Sequence, residues 1–390
     1  MAIVINNTPQ DYSSAHGDLV YTVYESTKGT DPSTYINYKY VCDVYIGGVM
    51  IVRLKALPNP INKRGIFNIG MIVRNYVNAL FNPTLNVVKA QELTSYYASV
   101  QCKFGEEYGV TPVLTTNMTV DSVRNFYNHY NGRLVGGYTI LPGYLDTFAS
   151  NRSTATNVQL NGGQAFIPYF PTTTNAITLN IKSYDSSGTQ IASNNITITP
   201  SGANYLQQLN LAPSAINAAV SGAIPANTNY YTATIGAKTL RFNIYCEPRY
   251  NPYTLHFLNQ LGGYDSFEFP KSSKKSIDIT KKNFIQLGYI INSDGSMSYY
   301  NGTVLNDNKI VYYGDSVESK ILNTDYITEG TYTWLGELLR SPQVYLEQSG
   351  YFIPVMITDN KFEYKTRAVD RLFNMTLNIQ FGDDQNVQYR

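Results

Sequence analysis

Residues 241–271, RFNIYCEPRYNPYTLHFLNQLGGYDSFEFPK, carry the sharpest strand pattern in the chain. Apolar and polar side chains alternate through YTLHFLN, as they do in a β-strand with two different faces. Pro248 interrupts the strand before it, because proline has no N–H to donate to a neighbouring strand. Gly262 and Gly263 tolerate positive φ and predict a two-residue hairpin turn. The stretch therefore predicts three strand segments joined by turns, and it resembles a scaffold more than a catalytic loop.

Alternating strands on either side of a glycine-containing turn recur outward from this stretch. The pattern predicts further hairpins over residues 36–57, 176–200 and 343–357. Short strands at intervals of about 8–12 residues are typical of a sandwich. We therefore predict a mainly β fold with a multi-domain, β-sandwich-like architecture and two or three short helices.

Two segments predict the helices. Apolar residues at helical spacing indicate a helix over residues 66–80. A second helix is predicted over residues 329–342, with Thr331 or Thr333 as the N-cap and Pro342 beyond its end. Between these two predicted helices, a pair of strands is predicted over residues 92–109.

Shifts in composition divide the chain into four predicted segments. They are an extended N-terminal arm (1–17), a β domain with one helix (18–149), a Ser/Thr/Asn-rich β-sandwich domain (150–247) and a C-terminal β domain with a short helix (248–390). Polar arms of this kind are ordered by a neighbouring subunit or not at all.

Composition argues against several classes of partner. The 390 residues include 35 tyrosines, only 15% are charged, and the net charge is +1. Nucleic-acid binding relies on basic patches, so this balance predicts no nucleic-acid partner. The most basic stretch, residues 271–282, is interpreted as a solvated edge strand, since lysines on an edge discourage stray strand pairing. The sequence also predicts no signal peptide and no membrane segment, and therefore synthesis in a cytoplasm.

Residues that usually carry chemistry are few. His16, His129 and His256 have no second ligand at a metal-binding spacing. No nucleophile elbow or phosphate-binding loop is present. We therefore predict no enzymatic activity, no cofactor and no metal. Carboxylates such as Glu106, Glu107, Asp265 and Glu268 are the pairs that a glycoside hydrolase would require, although many chains offer such pairs. Cys42, Cys102 and Cys246 are predicted to be buried free thiols.

Three stretches carry a resemblance to a known family. They are residues 38–77, which begin YKYVCDVYIGGVMIVRLKALPNP, residues 246–269, CEPRYNPYTLHFLNQLGGYDSFEF, and residues 334–381, which begin WLGELLRSPQVYLEQSGYFIPVMI. Together they resemble virion proteins from the tail and neck region of crAss-like bacteriophages. The resemblance implies a non-enzymatic tail hub, ring or adaptor subunit, present in several copies in the virion and contacting other tail and neck proteins.

The expected interfaces follow from exposed-looking aromatic residues. A ring subunit needs two different contact patches. We place one on the N-terminal arm and hairpin and one on the C-terminal helix and hairpin. The suspected interface residues are Trp334, Tyr345, Phe352, Tyr127 and Tyr130. An alternative function is a receptor- or carbohydrate-binding tail protein, in which Tyr127 and Tyr130 stack on a host-surface glycan.

Overall fold

The computed structural model describes residues 3–27, 31–78, 80–93, 95–114, 117–129, 142–152, 155–245, 250–301, 303–305, 308–359, 373–382 and 388–389. Strands make up 49% and helices 9% of the chain, in several sheets and three helices, which confirms the predicted mainly β class. The chain forms two compact units. The first contains Met1–Cys246 and His256–Phe267, and the second contains Glu247–Leu255 and Glu268–Arg390. The predicted division into four segments stays a prediction.

The strands that lie wholly in the first unit form four sheets. In chain order they are β1 (Ile3–Asn7), β2 (Val20–Glu25), β3 (Lys39–Ile46), β4 (Val49–Ala56), β5 (Gly65–Asn68), β6 (Gln91–Glu92), β7 (Tyr97–Tyr108), β8 (Val113–Leu114), β9 (Thr119–Val120), β10 (Arg124–Tyr127), β11 (Thr156–Gln159), β12 (Phe166–Tyr169), β13 (Ile177–Tyr184), β14 (Gln190–Ile198), β15 (Gln207–Asn210), β16 (Tyr230–Ile235) and β17 (Lys238–Tyr245).

One pair of sheets encloses the first core of this unit. The three-stranded sheet has the order β1-β2-β5, and the larger sheet has the order β10-β7-β3-β4, with β8 and β9 paired to β7. Their apolar faces share one buried cluster, in which the rings of Tyr21 and Phe104 lie 5.2 Å apart. The hairpin predicted over residues 36–57 is confirmed, since Gly47 and Gly48 both have positive φ between β3 and β4.

A second pair of sheets encloses the other core. The five-stranded sheet has the order β11-β17-β16-β13-β14 and shares a buried cluster with the sheet β12-β15-β6. The hairpin predicted over residues 176–200 is confirmed as β13 and β14. Alternation places Leu179 and Ile181 inward and leaves Thr178 exposed. Both cores thus have the layered arrangement that the sequence predicts.

The stretch over residues 241–271 forms β17 and two strands that cross the division between the units. These are β18 (Tyr253–Leu258) and β19 (Tyr264–Phe269). The predicted two-residue turn is wrong, because five residues join the strands. Two backbone hydrogen bonds of Asn259 close this loop. The Asn259 N–H donates to the Gly263 carbonyl, and the Asn259 carbonyl accepts from the Gly262 N–H. Gly262 alone of the two glycines has positive φ, at 88°.

The remaining strands belong to the second unit. They are β20 (Lys274–Ile285), β21 (Ile290–Ile291), β22 (Met297–Ser298), β23 (Tyr300–Asn301), β24 (Val304–Leu305), β25 (Lys309–Asn323), β26 (Val344–Gln348), β27 (Tyr351–Ile357), β28 (Thr376–Phe381) and β29 (Gln388–Tyr389). The sheet runs β26-β27-β28-β25-β20, with β29 on β25. The hairpin predicted over residues 343–357 is confirmed as β26 and β27, turning at Ser349 and Gly350.

The helices are α1 (Gly70–Arg74), α2 (Pro213–Ala219) and α3 (Glu329–Arg340), with 3-10 turns at Pro32–Thr34 and Pro142–Tyr144. The helix predicted over residues 66–80 is wrong for most of its length, because Gly65–Asn68 pairs with β2 as a strand. The helix over residues 329–342 is confirmed, but its N-cap is Thr328, whose side chain accepts from the Thr331 N–H.

Two further predictions are wrong. Residues 92–109 hold one long strand, β7, and not a strand pair, since β3 and β10 pair along its two edges. The described part of the N-terminal segment is not a free arm. Its strand β1 pairs with β2, and Ala15 is buried and donates its N–H to the Tyr127 carbonyl. The segment therefore completes the core of its own chain.

Candidate functional site

The strand β20 is exposed along its whole length, and its partner β25 is mostly half-buried. We call residues 274–317 the β-arm. Every residue of β20 is exposed along its twelve positions. β20 ends the sheet and pairs only with β25, in register from Lys274 opposite Ile321 to Ile285 opposite Lys309. At about 3.3 Å per residue, this edge is roughly 40 Å long. Most of the basic stretch over residues 271–282 is thus an exposed edge strand, as predicted, and the strand begins at Lys274.

The β-arm carries many apolar side chains in contact with solvent. In most small proteins such side chains are scattered singly over the surface, whereas here they are concentrated in one segment of the chain, on β20, on β25 and in the residues between them. Exposed large apolar residues of the β-arm are Ile277, Ile279, Phe284, Ile285, Leu287, Ile291, Met297, Tyr299, Tyr300, Val304, Leu305, Val311 and Tyr312. This concentration marks the β-arm as the candidate interaction surface.

Apolar side chains occupy both faces of the ribbon. Ile277 and Ile279 lie on one face, opposite Glu318 and Ser316 of β25. On the other face, Phe284 lies opposite Ile310. The pairing of β20 with β25 has an irregularity in register between Lys282 and Asn283, just before Phe284. The chain continues from the end of β20 into residues 286–308. Among the described residues, neither face of this ribbon has a covering layer comparable to those of the first unit, and its apolar groups are exposed.

The charge on the edge strand is mostly positive. β20 contains Lys274, Lys275, Lys281 and Lys282 against a single carboxylate, Asp278. Lys275 bridges to Glu318 at 2.7 Å, and the Lys282 ammonium lies 5.1 Å from the centre of the Tyr313 ring. These contacts join the two strands of the ribbon, but they are solvent-exposed, and exposed ion pairs contribute little to stability. Because four lysines stand against one carboxylate on β20, this edge disfavours pairing with another basic strand.

The predicted interface residues of the C-terminal helix and hairpin are largely covered. Trp334 is buried on α3 with only 3% of its surface exposed. Tyr345 on β26 and Phe352 on β27 are half-buried, and burial raises the pKa of the Tyr345 hydroxyl. Trp334 is thus corrected from interface to core. Trp334 and Leu338 lie about one helical turn apart on α3, and apolar residues at this spacing are typical of a buried face, which explains the error.

The predicted aromatic interface near the N-terminal domain fails at Tyr127. This residue ends β10, is fully buried, and donates its hydroxyl to the Asn204 carbonyl. Its ring stacks on Tyr12 and Tyr97 at centroid distances of 5.6 and 5.7 Å. Tyr127 is therefore corrected to a core residue that joins distant segments of the first unit. Tyr130 lies outside the described residues.

The histidines have structural surroundings. His129 is buried, its Nε2 lies 3.1 Å from the Tyr12 carbonyl, and burial lowers its pKa to about 4. His16 pairs with the Asn128 side chain at 2.6 Å, and burial lowers its pKa as well. His256 Nδ1 lies 2.7 Å from the Ser266 hydroxyl, and its ring contacts those of Phe81 and Phe166. These contacts fix the position of each imidazole in the first unit.

The cysteines and carboxylates are also engaged within the chain. Cys42 and Cys102 are buried free thiols, as predicted, and Cys246 lies outside the described residues. The neighbouring Cys102 thiol and burial raise the pKa of Cys42. Among the carboxylates, Glu106 accepts from the Tyr38 hydroxyl at 2.8 Å, Glu107 bridges to Lys55 at 2.7 Å, and Asp265 accepts from Ser150 at 2.7 Å. Glu268 is buried on β19.

Across the described ranges, His, Cys, Asp and Glu do not gather in threes as metal ligands, and the three helices are too short or too polar to cross a membrane. No protein-family model matches the chain, and no curated protein does either. The geometry of the β-arm is therefore the main guide to function. A sequence signal for it exists, since Ile277 and Ile279 alternate with polar residues inside the lysine-rich stretch.

Proposed function

We propose that this chain is a structural subunit of a bacteriophage tail, of the hub, ring or adaptor type. Several copies assemble as a closed ring that connects neck, tail and fibres. The chain acts through its surfaces and not through catalysis. It is made in the cytoplasm of the host bacterium and ends in the virion.

The observation that carries this proposal is the β-arm. The β-arm consists of two long strands with the two-residue strand β29 on β25, and so small a sheet is marginally stable in water unless something packs against it. Long exposed apolar edges also promote uncontrolled association unless a partner covers them. A ribbon of twelve exposed β20 residues with apolar groups on both faces suits a subunit that is covered when it assembles.

The resemblance of residues 38–77, 246–269 and 334–381 to tail and neck proteins of crAss-like phages gives the assembly its proposed setting. The low charge and abundant tyrosine of the chain agree with it, since tyrosine is enriched and acidic and lysine side chains are depleted in protein–protein interfaces. These features support a multi-copy structural role over a transient one.

The receptor- or glycan-binding alternative has less support. It relies on Tyr127 as one of two stacking residues, and Tyr127 has no exposed surface. A sugar ring needs access to the face of the aromatic ring, and here that face is packed on Tyr12 and Tyr97. We therefore keep the structural role as the one proposed function.

The test is the mass of the purified chain in solution. Native mass spectrometry of the 43.7 kDa chain is expected to show a closed set of copies. A matched variant removes residues 280–315 and joins Ile279 to Ser316, which are paired in register, by an Asn-Gly turn. It is expected to keep a β-rich circular dichroism spectrum, reduced by the deleted strands, but to remain monomeric. A parent that is monomeric at micromolar concentration and absent from purified phage particles would refute the proposal.

A further inference from the structure

Three long strands end sheets in the described part of the chain. Those of eight residues or more are β4, β14 and β20. Each has one side of its backbone without a strand partner. We propose that β20 of one copy pairs with β14 of the next copy and extends its five-stranded sheet to six strands. This inference rests on the proposed homo-oligomer and identifies the contact that builds it.

The strand β14 has the properties of an acceptor edge. Its sequence, QIASNNITI, contains no charged residue and no proline. Its register with β13 is continuous from Ile198 to Ala192, and the irregularity lies only at the far end, near Tyr184. Natural edge strands are usually protected from pairing by charges, prolines or bulges. Over these seven positions β14 has none of these protections, so its free edge is suited to accept another strand.

Charge selects the donor strand. Two β20 strands placed side by side bring four lysines of each copy together, and like charges opposite one another destabilise a sheet. β4 presents Arg53 and Lys55 on its exposed side, where they already pair with Asp43 and Glu107, so it offers the lysines of β20 no free carboxylate at these positions. Only β14 among the three edges is uncharged. Pairing of β20 with β14 therefore covers the free edges of both strands without like-charge repulsion.

Residue type also matches at this contact. β14 exposes Ser193, Asn195 and Thr197, which are small polar residues that pack against either lysine stems or isoleucine. β20 brings Ile277 and Ile279 on one face. Backbone hydrogen bonds supply affinity in such strand addition, and alternate side chains supply register.

The two strands differ, so the contact is heterologous. One copy contributes β20 and the next contributes β14, and repetition of such a contact closes a ring when the rotation per copy permits it. An isologous contact, β14 with β14, would instead end at a dimer. The proposal therefore also predicts that every copy in the assembly uses both edges.

The first experiment is disulfide trapping between full-length chains of two sizes, one carrying a tag. One chain carries Asn195→Cys, with Ser193→Cys and Thr197→Cys to sample register, and the other carries Ile279→Cys. Paired positions on adjacent strands lie within the Cα separation that a disulfide spans. We expect disulfide-linked dimers only when both kinds of chain are present. The parent chain, which carries its three natural cysteines, is the control for disulfides that these cysteines form.

The second experiment changes charge. Thr197→Lys places a lysine on the β14 edge and is expected to weaken assembly by about threefold or more. Thr178→Lys is the control, because Thr178 is exposed opposite Thr197 on the inner strand β13. Combining Thr197→Lys with Lys281→Glu and Lys282→Glu is expected to restore assembly. Circular dichroism confirms that each variant is folded.

The outcomes separate the inference from the function on which it rests. A monomeric parent refutes both. An assembled parent that gives disulfides only between two Asn195→Cys chains, or only between two Ile279→Cys chains, refutes the β14–β20 contact and leaves the oligomer. Equal weakening by Thr197→Lys and Thr178→Lys, or no rescue by the arm substitutions, also refutes the contact.

Discussion

Ile181 on β13 and Ile279 on β20 look alike in sequence but differ completely in surroundings. Both alternate with polar neighbours on antiparallel strands, yet Ile181 is fully buried and Ile279 is 65% exposed. The first faces the sheet β12-β15-β6, whereas no sheet of the described residues covers the second. Alternation therefore indicates a face that is suited to burial, and it does not tell which molecule covers that face.

The largest expected effect compares two glycines, one in each region. A Cβ on Gly262, at φ 88°, would lie 1.7 Å from the Asn128 carbonyl oxygen, whereas Gly295 in the β-arm, at φ 81°, has nothing within 4 Å. Gly295→Ala costs about 1–2 kcal/mol or less from its backbone conformation alone. Gly262→Ala adds a clash with backbone and should lower the free energy of unfolding by about 4 kcal/mol or more. Urea denaturation measures both.

Equal costs for the two glycine variants would break the comparison. They would mean that the loop at Gly262 yields as easily as the tip of the β-arm. The hydrogen bonds of Asn259 to this loop, from the Gly263 and Leu261 N–H groups to its side chain, argue that it does not.

The next largest expected effect is a dependence of stability on pH, which comes from a histidine buried in the first unit. Burial holds the pKa of His129 at about 4, below the value of about 6.5 in an unfolded chain. Between these values the unfolded chain binds the extra proton, so stability is full above about pH 6.5 and falls as the pH drops toward 4. The loss is at most about 3 kcal/mol. His129→Gln should flatten this part of the stability curve.

The matched control for the pH experiment is His16→Gln. His16 is half-buried, and burial also lowers its pKa, so its removal should flatten the curve less. Carboxylate titration is common to all three proteins and cancels in the differences between them. A parent whose stability is constant from pH 7 to pH 4.5, relative to His129→Gln, would contradict the buried neutral imidazole.

Features that are set by neighbouring residues in the chain could be predicted from sequence. The turn at Gly47 and Gly48 is one, because positive φ at both positions is a local requirement. The helix over residues 66–80 failed because pairing with β2 is a long-range contact, and it buries Phe67 while leaving Ile66 exposed. The burial of Tyr127 likewise depends on Asn204 and Tyr12, which no local pattern reveals.

The candidate site shows the same limit. The lysines of residues 271–282 indicated an exposed edge, and the structure places four of the five on one. What the sequence alone did not show is that the apolar residues between and after these lysines also stay exposed. That depends on the absence of a second sheet over the described β-arm, which only the three-dimensional arrangement shows.

The smallest expected effect is at Ile279 itself, and it tests the comparison most directly. Ile279→Ala in the single chain should change the free energy of unfolding by no more than about 0.5 kcal/mol, because the side chain is already in water. Ile181→Ala, its matched control, should cost about 2–5 kcal/mol through lost burial and a cavity.

Assembly should respond in the opposite order. Covering Ile279 in a neighbouring copy contributes about 1 kcal/mol, or roughly fivefold in affinity, so mass photometry of Ile279→Ala should show dissociation at concentrations where the parent stays assembled. An Ile279→Ala chain that unfolds as easily as Ile181→Ala would mean that the β-arm is already packed in the isolated chain, and the distinction between a face covered by its own chain and a face covered by a neighbour would fail.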